Sequence, residues 1–155
     1  MSGVLELDEE GYLNLLNTII VNRLGDAVDI ELFHDEDRVK ELVAEAHNYN
    51  VVVIMSNHDF EKVPAKYVIE FRLKKMAALG ADVPKLACMP HNAKDVLTLL
   101  SATNEVNEAI DNPLITMAMG DIGKVTRIAG QVFGSSLSFG AVGKTSAPGQ
   151  LSMTI

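Results

Sequence analysis

Lys85 lies in PKLACM, an apolar run with the alternation of a strand, where Lys85, Ala87 and Met89 share one face. An amine screened from water loses part of its preference for the charged form, and the free amine attacks carbonyl carbon. The alternative is a lysine near a strand end whose stem carries its ammonium out to solvent. His58 follows VVVIMS in SNHDF. Imidazole suits proton transfer near neutral pH, and the competing reading is a loop histidine bonded to backbone. Arg127, in GKVTRIAGQVF, is the only arginine in the last quarter of the chain. Its planar guanidinium suits a carboxylate in bidentate pairing, against the alternative of a surface arginine. No two of His34, His47, His58 and His91 stand four apart and there is no H-E-x-x-H, so no metal is expected. SFGAVGKTS ends like a phosphate-binding loop. Ser138 stands where that motif needs glycine, and Pro148 comes early, so nucleotide binding is not expected.

Elements must hold these residues in place. Apolar spacing predicts helices over residues 8–24, 35–48, 64–79, 92–110 and 122–133, with Gly25, Gly80 and Gly134 as stops and Asp35 as a cap. Strands are predicted over residues 27–32, 51–56, 84–89, 113–119 and 137–142. Strict alternation of strand and helix means right-handed crossovers and a parallel sheet, the α/β class. In such sheets reactive groups gather at the C-terminal ends of strands. Asp29, Glu31, His58, Lys85, Met117, Met119, Arg127, Ser146 and Gln150 all fall at or beyond those ends.

The chain has 155 residues and one predicted domain. A complete eight-stranded β/α barrel typically takes about 250 residues. Thirteen basic against 21 acidic residues give a net charge of −8, which argues against a nucleic-acid or membrane-surface binder. Cys88 is the single cysteine, so no internal disulfide is expected and the compartment is expected to be reducing. MSGVLELDEEGYL lacks the basic and apolar regions of a signal peptide, and the apolar runs are too short to span a bilayer. A cytoplasmic protein is the expectation.

The series SNHDF, DVPKLACMP, ITMAMGDIGKVTRIAGQVFGS and FGAVGKTSAPGQ resembles the type I 3-dehydroquinate dehydratases, lyases of the shikimate pathway. The resemblance runs from about Ala27 to Ser152 and implies a β/α barrel with no metal or cofactor. It implies that Lys85 forms an imine with the ketone of 3-dehydroquinate, and that His58 is the general acid and base. Arg127 matches the carboxylate-binding arginine, and Ser146 and Gln150 match a loop that closes over substrate. Met117, Met119 and Phe139 match apolar residues of the pocket. Asp29 and Glu31 match an acidic strand ahead of the histidine strand.

Against the family pattern, three strands before Ala27 and the last helix are missing. The expected fold is therefore a partial (β/α)8 barrel of five parallel strands, barrel strands four to eight. With the absent strands go residues that hold substrate hydroxyls and a Glu that supports the histidine. Two open edges and a bare inner face favour a homo-oligomer that covers them. Three functions compete: a Schiff-base dehydratase, a non-catalytic fragment that self-associates or complements a partner in trans, and another Schiff-base barrel enzyme such as a class I aldolase. SNHDF with SAPGQ argues against the third.

Overall fold

The computed structural model describes residues 7–141 and 148–152. Helix α1 (Glu9–Val21) starts where the Asp8 carboxylate accepts from the Gly11 N–H, with Glu9 and Glu10 at the positive end of the helix dipole. It stops short of the expected Leu24, because Arg23 takes the left-handed conformation (φ 52°) two residues before Gly25. Strand β1 (Ala27–Glu31) and helix α2 (Glu36–Asn48, capped by Asp35) follow as the pattern predicts. Next come β2 (Val52–Asp59), α3 (Lys66–Ala78), β3 (Val83–Cys88), α4 (Ala93–Asn107) and β4 (Ile115–Ala118). The stretch expected as one helix over residues 122–133 is a six-residue helix, α5 (Lys124–Ala129), and a 3-10 turn (Gly130–Phe133). The turn ends on Gly134, at φ 96°, where a Cβ would come within 2.5 Å of the Asn107 side chain.

Strands β1, β2, β3 and β4 form one parallel sheet in that order. Its helix side carries the core. Val28, Ile30, Val53, Met55, Leu86 and Cys88 pack against Leu16 and Ile20 of α1, Val39 and Val43 of α2, Ile69 and Leu73 of α3, and Leu99 and Val106 of α4. The opposite face carries a separate small cluster of Ala87, Ile115 and Met117. By strand alternation Asp29, Glu31, His58, Lys85, Met117 and Met119 all belong to this second face.

Two further expectations change. Strand β2 does not end at Ser56, because β3 pairs with it to the end, His58 opposite Ala87 and Asp59 opposite Cys88. His58 therefore stands on a strand rather than a loop. Among the described residues the sheet also has four strands, not five. Gly140–Ala141 (β5) pairs with Leu151–Ser152 (β6) in a two-stranded sheet of its own. The free edge of β4 is occupied by Ser135 and Ser136 instead. Ser136 N–H donates to Leu114 C=O (2.6 Å), while the Ser135 hydroxyl accepts from Thr116 N–H (3.0 Å) and donates to Thr116 C=O (3.2 Å). A strand cannot pair with backbone groups already satisfied by a side chain. At the other edge the Tyr12 hydroxyl accepts from Glu31 N–H (3.1 Å) and contacts Asp29 C=O (3.3 Å) as donor. These are the outward ladder groups of β1, so the phenol covers the edge.

Candidate active site

The C-terminal ends of β2, β3 and β4 and the chain around Phe139 and Pro148 border a cavity of about 380 Å³. His58, Lys85, Arg127, Met117, Met119, Phe139 and Gln150 line it, together with Phe60, Ala87 and Pro148. Six separate stretches of sequence thus meet at one cavity. Ser146 lies outside the described residues. Gly149 (φ 73°) makes the close approach: a Cβ there would sit 2.2 Å from Gly120 C=O, and Gly120 N–H donates to Pro148 C=O (3.2 Å). That contact holds Gln150 at the cavity wall.

Lys85 projects into the cavity floor with its side chain 13% exposed. It is screened from water as expected but is not alone: Nζ lies 2.6 Å from Asp29 Oδ2 and 5.5 Å from the centroid of the Phe139 ring. The ion pair neutralises a cation that burial would otherwise penalise. It also places a proton acceptor next to the amine.

His58 is held on its Nδ1 side. Glu31 Oε2 lies 2.9 Å from Nδ1 and accepts from the Ser56 hydroxyl at 3.0 Å. Glu31 Oε1 accepts from the His58 backbone N–H and from Asn57 Nδ2, both at 3.2 Å. Burial pushes the Glu31 carboxyl up, but the hydrogen bond and charge of His58, with the bonds from Asn57 and Ser56, together hold it below the usual carboxylate range. An ionised carboxylate only accepts, so the imidazole carries its proton on Nδ1 and presents the Nε2 lone pair. The Phe60 ring stacks on the imidazole, centroids 5.9 Å apart. Glu31 thus gives this histidine a carboxylate partner, where the family pattern places the supporting Glu on a strand ahead of Ala27. The signal was in the sequence: Glu31 ends a strand two residues beyond Asp29, at the height of Ser56 in the neighbouring strand.

Arg127 is buried, 7% exposed, and no carboxylate pairs with it among the described residues. Among the described residues its Nη atoms make only long contacts, 3.4 Å to the carbonyls of Phe139 and Pro148, and Nε has no partner. Burial lowers its pKa. An uncompensated buried guanidinium at a cavity wall is a receptor for an anion. Met117 and Met119 are buried and supply apolar wall.

The remaining candidates fall elsewhere. Cys88 faces the core, and burial, with the charges of Asp59 and Asp95, pushes its thiol up to about 12, so it is no nucleophile. His34 pairs with Glu9, His47 with Asp82, and His91 with the Glu61 carbonyl. Among the described residues there is no group of three or more His, Cys, Asp or Glu that can hold a metal, and no helix long and apolar enough to cross a membrane. Phe60, Pro148 and the network around Asn57 were not legible as site residues, because their types carry no chemistry of their own.

Known proteins share this sequence and this fold. The family model for type I 3-dehydroquinase matches residues 1–154. A 3-dehydroquinate dehydratase of Lactiplantibacillus plantarum is 53% identical over 151 residues, which is 97% of this chain and 60% of that protein. One from Listeria welshimeri is 52% identical over 149 residues, 96% of this chain and 59% of that protein. Among solved structures, the type I enzyme of Clostridium difficile, described with covalently modified comenic acid, superposes with a TM-score of 0.91 at 47% identity, covering 97% of this chain and 60% of that one. The Geobacillus kaustophilus enzyme gives a TM-score of 0.92 at 35% identity, covering 97% and 58%. The chain thus spans about 60% of the length of the relatives it matches.

Proposed function

Since this chain belongs to the type I 3-dehydroquinase family, we propose that its cavity dehydrates 3-dehydroquinate to 3-dehydroshikimate through an imine on Lys85. One observation carries the reading: a screened amine, a carboxylate-backed imidazole and an unpaired buried guanidinium border the same cavity.

The substrate carboxylate pairs with Arg127, which fixes the ring and turns binding into orientation. Lys85 passes a proton to Asp29, 2.6 Å away, and Nζ adds to the ketone carbon. The carbinolamine oxygen leaves as water, and a protonated imine remains. This cation draws electrons from the neighbouring C2–H bond. The His58 Nε2 lone pair takes the C2 proton, and the electron pair moves into an enamine. The enamine expels the C1 hydroxyl, which leaves as water with the proton His58 holds. Water then adds to the imine carbon and frees Lys85 and the product. Met117, Met119 and Phe139 keep the wall apolar, which strengthens the charge interactions inside. In this reading Gln150 and Ser146 belong to a segment that closes over substrate, no cofactor takes part, and the chain works in the cytoplasm with Cys88 reduced.

The test is reduction with borohydride in the presence of 3-dehydroquinate. The mass of the reduced adduct should appear on the peptide that carries Lys85, and Lys85→Ala should abolish both the adduct and the 3-dehydroshikimate chromophore. A saturated, folded chain with no mass gain overturns the proposal.

A second reading is a non-catalytic barrel fragment that pairs with a second copy or complements a partner. It is favoured by the exposed apolar side chains of Leu97, Ile122, Val125 and Ile128. It requires an oligomer in sedimentation and no turnover, whereas the enzyme reading requires turnover in whichever assembly forms.

A further inference from the structure

The geometry points to Arg72 as a positioning residue that fixes which nitrogen of His58 carries the proton, acting through the amide of Asn57 and the carboxylate of Glu31. Arg72 projects from α3 on the helix side of the sheet, across β2 from the cavity. Its guanidinium lies over the Phe33 ring, 5.2 Å from the centroid, and its Nη1 donates to Asn57 Oδ1 at 2.8 Å. Asn57 is 4% exposed, so its amide has no water to fall back on.

An asparagine amide can be turned end for end at little intrinsic cost, and its neighbours decide the orientation. Arg72 has donors only, so it holds Oδ1 towards itself and turns the NH2 towards Glu31. Asn57 Nδ2 then donates to Glu31 Oε1 at 3.2 Å. With the His58 backbone N–H on the same oxygen, Oε1 is saturated by two donors that cannot become acceptors. The carboxylate is thereby locked with Oε2 facing the imidazole. A reversed amide would place Oδ1 against Oε1, oxygen against oxygen, and push the carboxylate off its seat. Arg72 thus reaches the active-site base from the far side of the sheet.

The charged and titratable groups around this relay are Tyr12 from α1, Asp29 on the same strand as Glu31, His58 and Asp59 on β2, and Lys85 on β3. Asp59 is a weak competitor for Arg72, since Oδ2 lies 4.0 Å from Nη1.

The inference takes its functional meaning from the dehydratase reading, but its test needs no substrate, so the two fail separately. In the full chain labelled with 15N and 13C, long-range proton–nitrogen spectra read the His58 tautomer, and carboxyl carbon shifts read the Glu31 titration. The unmodified chain should show His58 protonated on Nδ1. Arg72→Met, which keeps a stem over Phe33, should raise the Glu31 midpoint by about one pH unit through loss of a donor to the charged form. It should also admit the Nε2–H tautomer. Arg72→Lys restores a donor to Asn57 and should return both signals. An unmoved Glu31 titration in folded Arg72→Met overturns the inference, as does a change that Arg72→Lys leaves in place. Should Arg72→Met not fold, the unmodified chain decides: an Nε2–H tautomer, or an Arg72 guanidinium that rotates freely, overturns it.

Discussion

Glu31→Gln isolates charge from shape at the carboxylate behind His58. The amide has one oxygen and one NH2, and the structure dictates where each goes. At the Oε1 position sit the His58 backbone N–H and Asn57 Nδ2, both at 3.2 Å and both obligate donors, so the amide oxygen must face them. At the Oε2 position sit the Ser56 hydroxyl (3.0 Å) and His58 Nδ1 (2.9 Å), and both can turn into acceptors. The new NH2 therefore faces His58, Nδ1 loses its proton, and Nε2 gains it. Every hydrogen bond survives, but the charge-assisted bond, worth about 1.5–3 kcal/mol, becomes a neutral one of about 1 kcal/mol. A stability loss of about 1 kcal/mol follows, at the lower end because the Glu31 side chain is 32% exposed. Catalysis should suffer far more. In the proposed dehydration His58 would then face C2 with no lone pair, and general-base assistance is worth about 10²–10⁴-fold. The expected result is a kcat lower by that factor with KM nearly unchanged, together with an inverted His58 tautomer by 15N NMR. Retention of the Nδ1–H tautomer, or a KM effect larger than the kcat effect, refutes the reasoning.

Arg127→Met removes a buried cation that no carboxylate compensates among the described residues, so the free energy of unfolding should hold within about 1 kcal/mol. KM for 3-dehydroquinate should rise about 10- to 100-fold, the worth of a hydrogen-bonded ion pair; equal loss of stability and binding would count against the assignment. Tyr12→Phe strips the hydroxyl from Asp29 C=O and Glu31 N–H, which should cost about 1 kcal/mol and raise self-association in sedimentation velocity by opening the β1 edge. A variant no more associated than the parent would show that the phenol does not guard that edge. The folded-state pKa of Glu31 lies below its unfolded value near 4.3, so its stabilising contribution is complete above about pH 5 and is lost as pH falls through the folded value. Urea denaturation of the parent and of Glu31→Gln should therefore converge as the solution is acidified; a gap that widens in acid gives the wrong sign.

Much of the fold was legible because its signals are local. Val51–Val53, Leu86 and Cys88 sit among runs whose alternation and length permit little but buried strands, and Asp8, Asp35 and Asn92 announce helix starts with a side chain that accepts from the first turn. Less local decisions were not legible. His58 reads as a loop residue after VVVIMS, and only pairing with Ala87 extends the strand through it. The segment near Gly140 reads as a fifth strand, yet the Ser135 hydroxyl had already taken the Thr116 backbone groups that such a strand needs.

The sequence by itself determined which groups are present for chemistry and the end of the sheet at which they gather, because side-chain identity and the two-residue period of a strand are properties of the chain alone. Tertiary structure decided what each group is next to. Asp29 against Lys85 and Glu31 against His58 are relations between residues 56 and 27 positions apart, set by the register of neighbouring strands, and among the described residues no carboxylate comes to Arg127. Protonation and anion affinity depend on charges within a few ångströms, and that distance exists only once the strands are side by side.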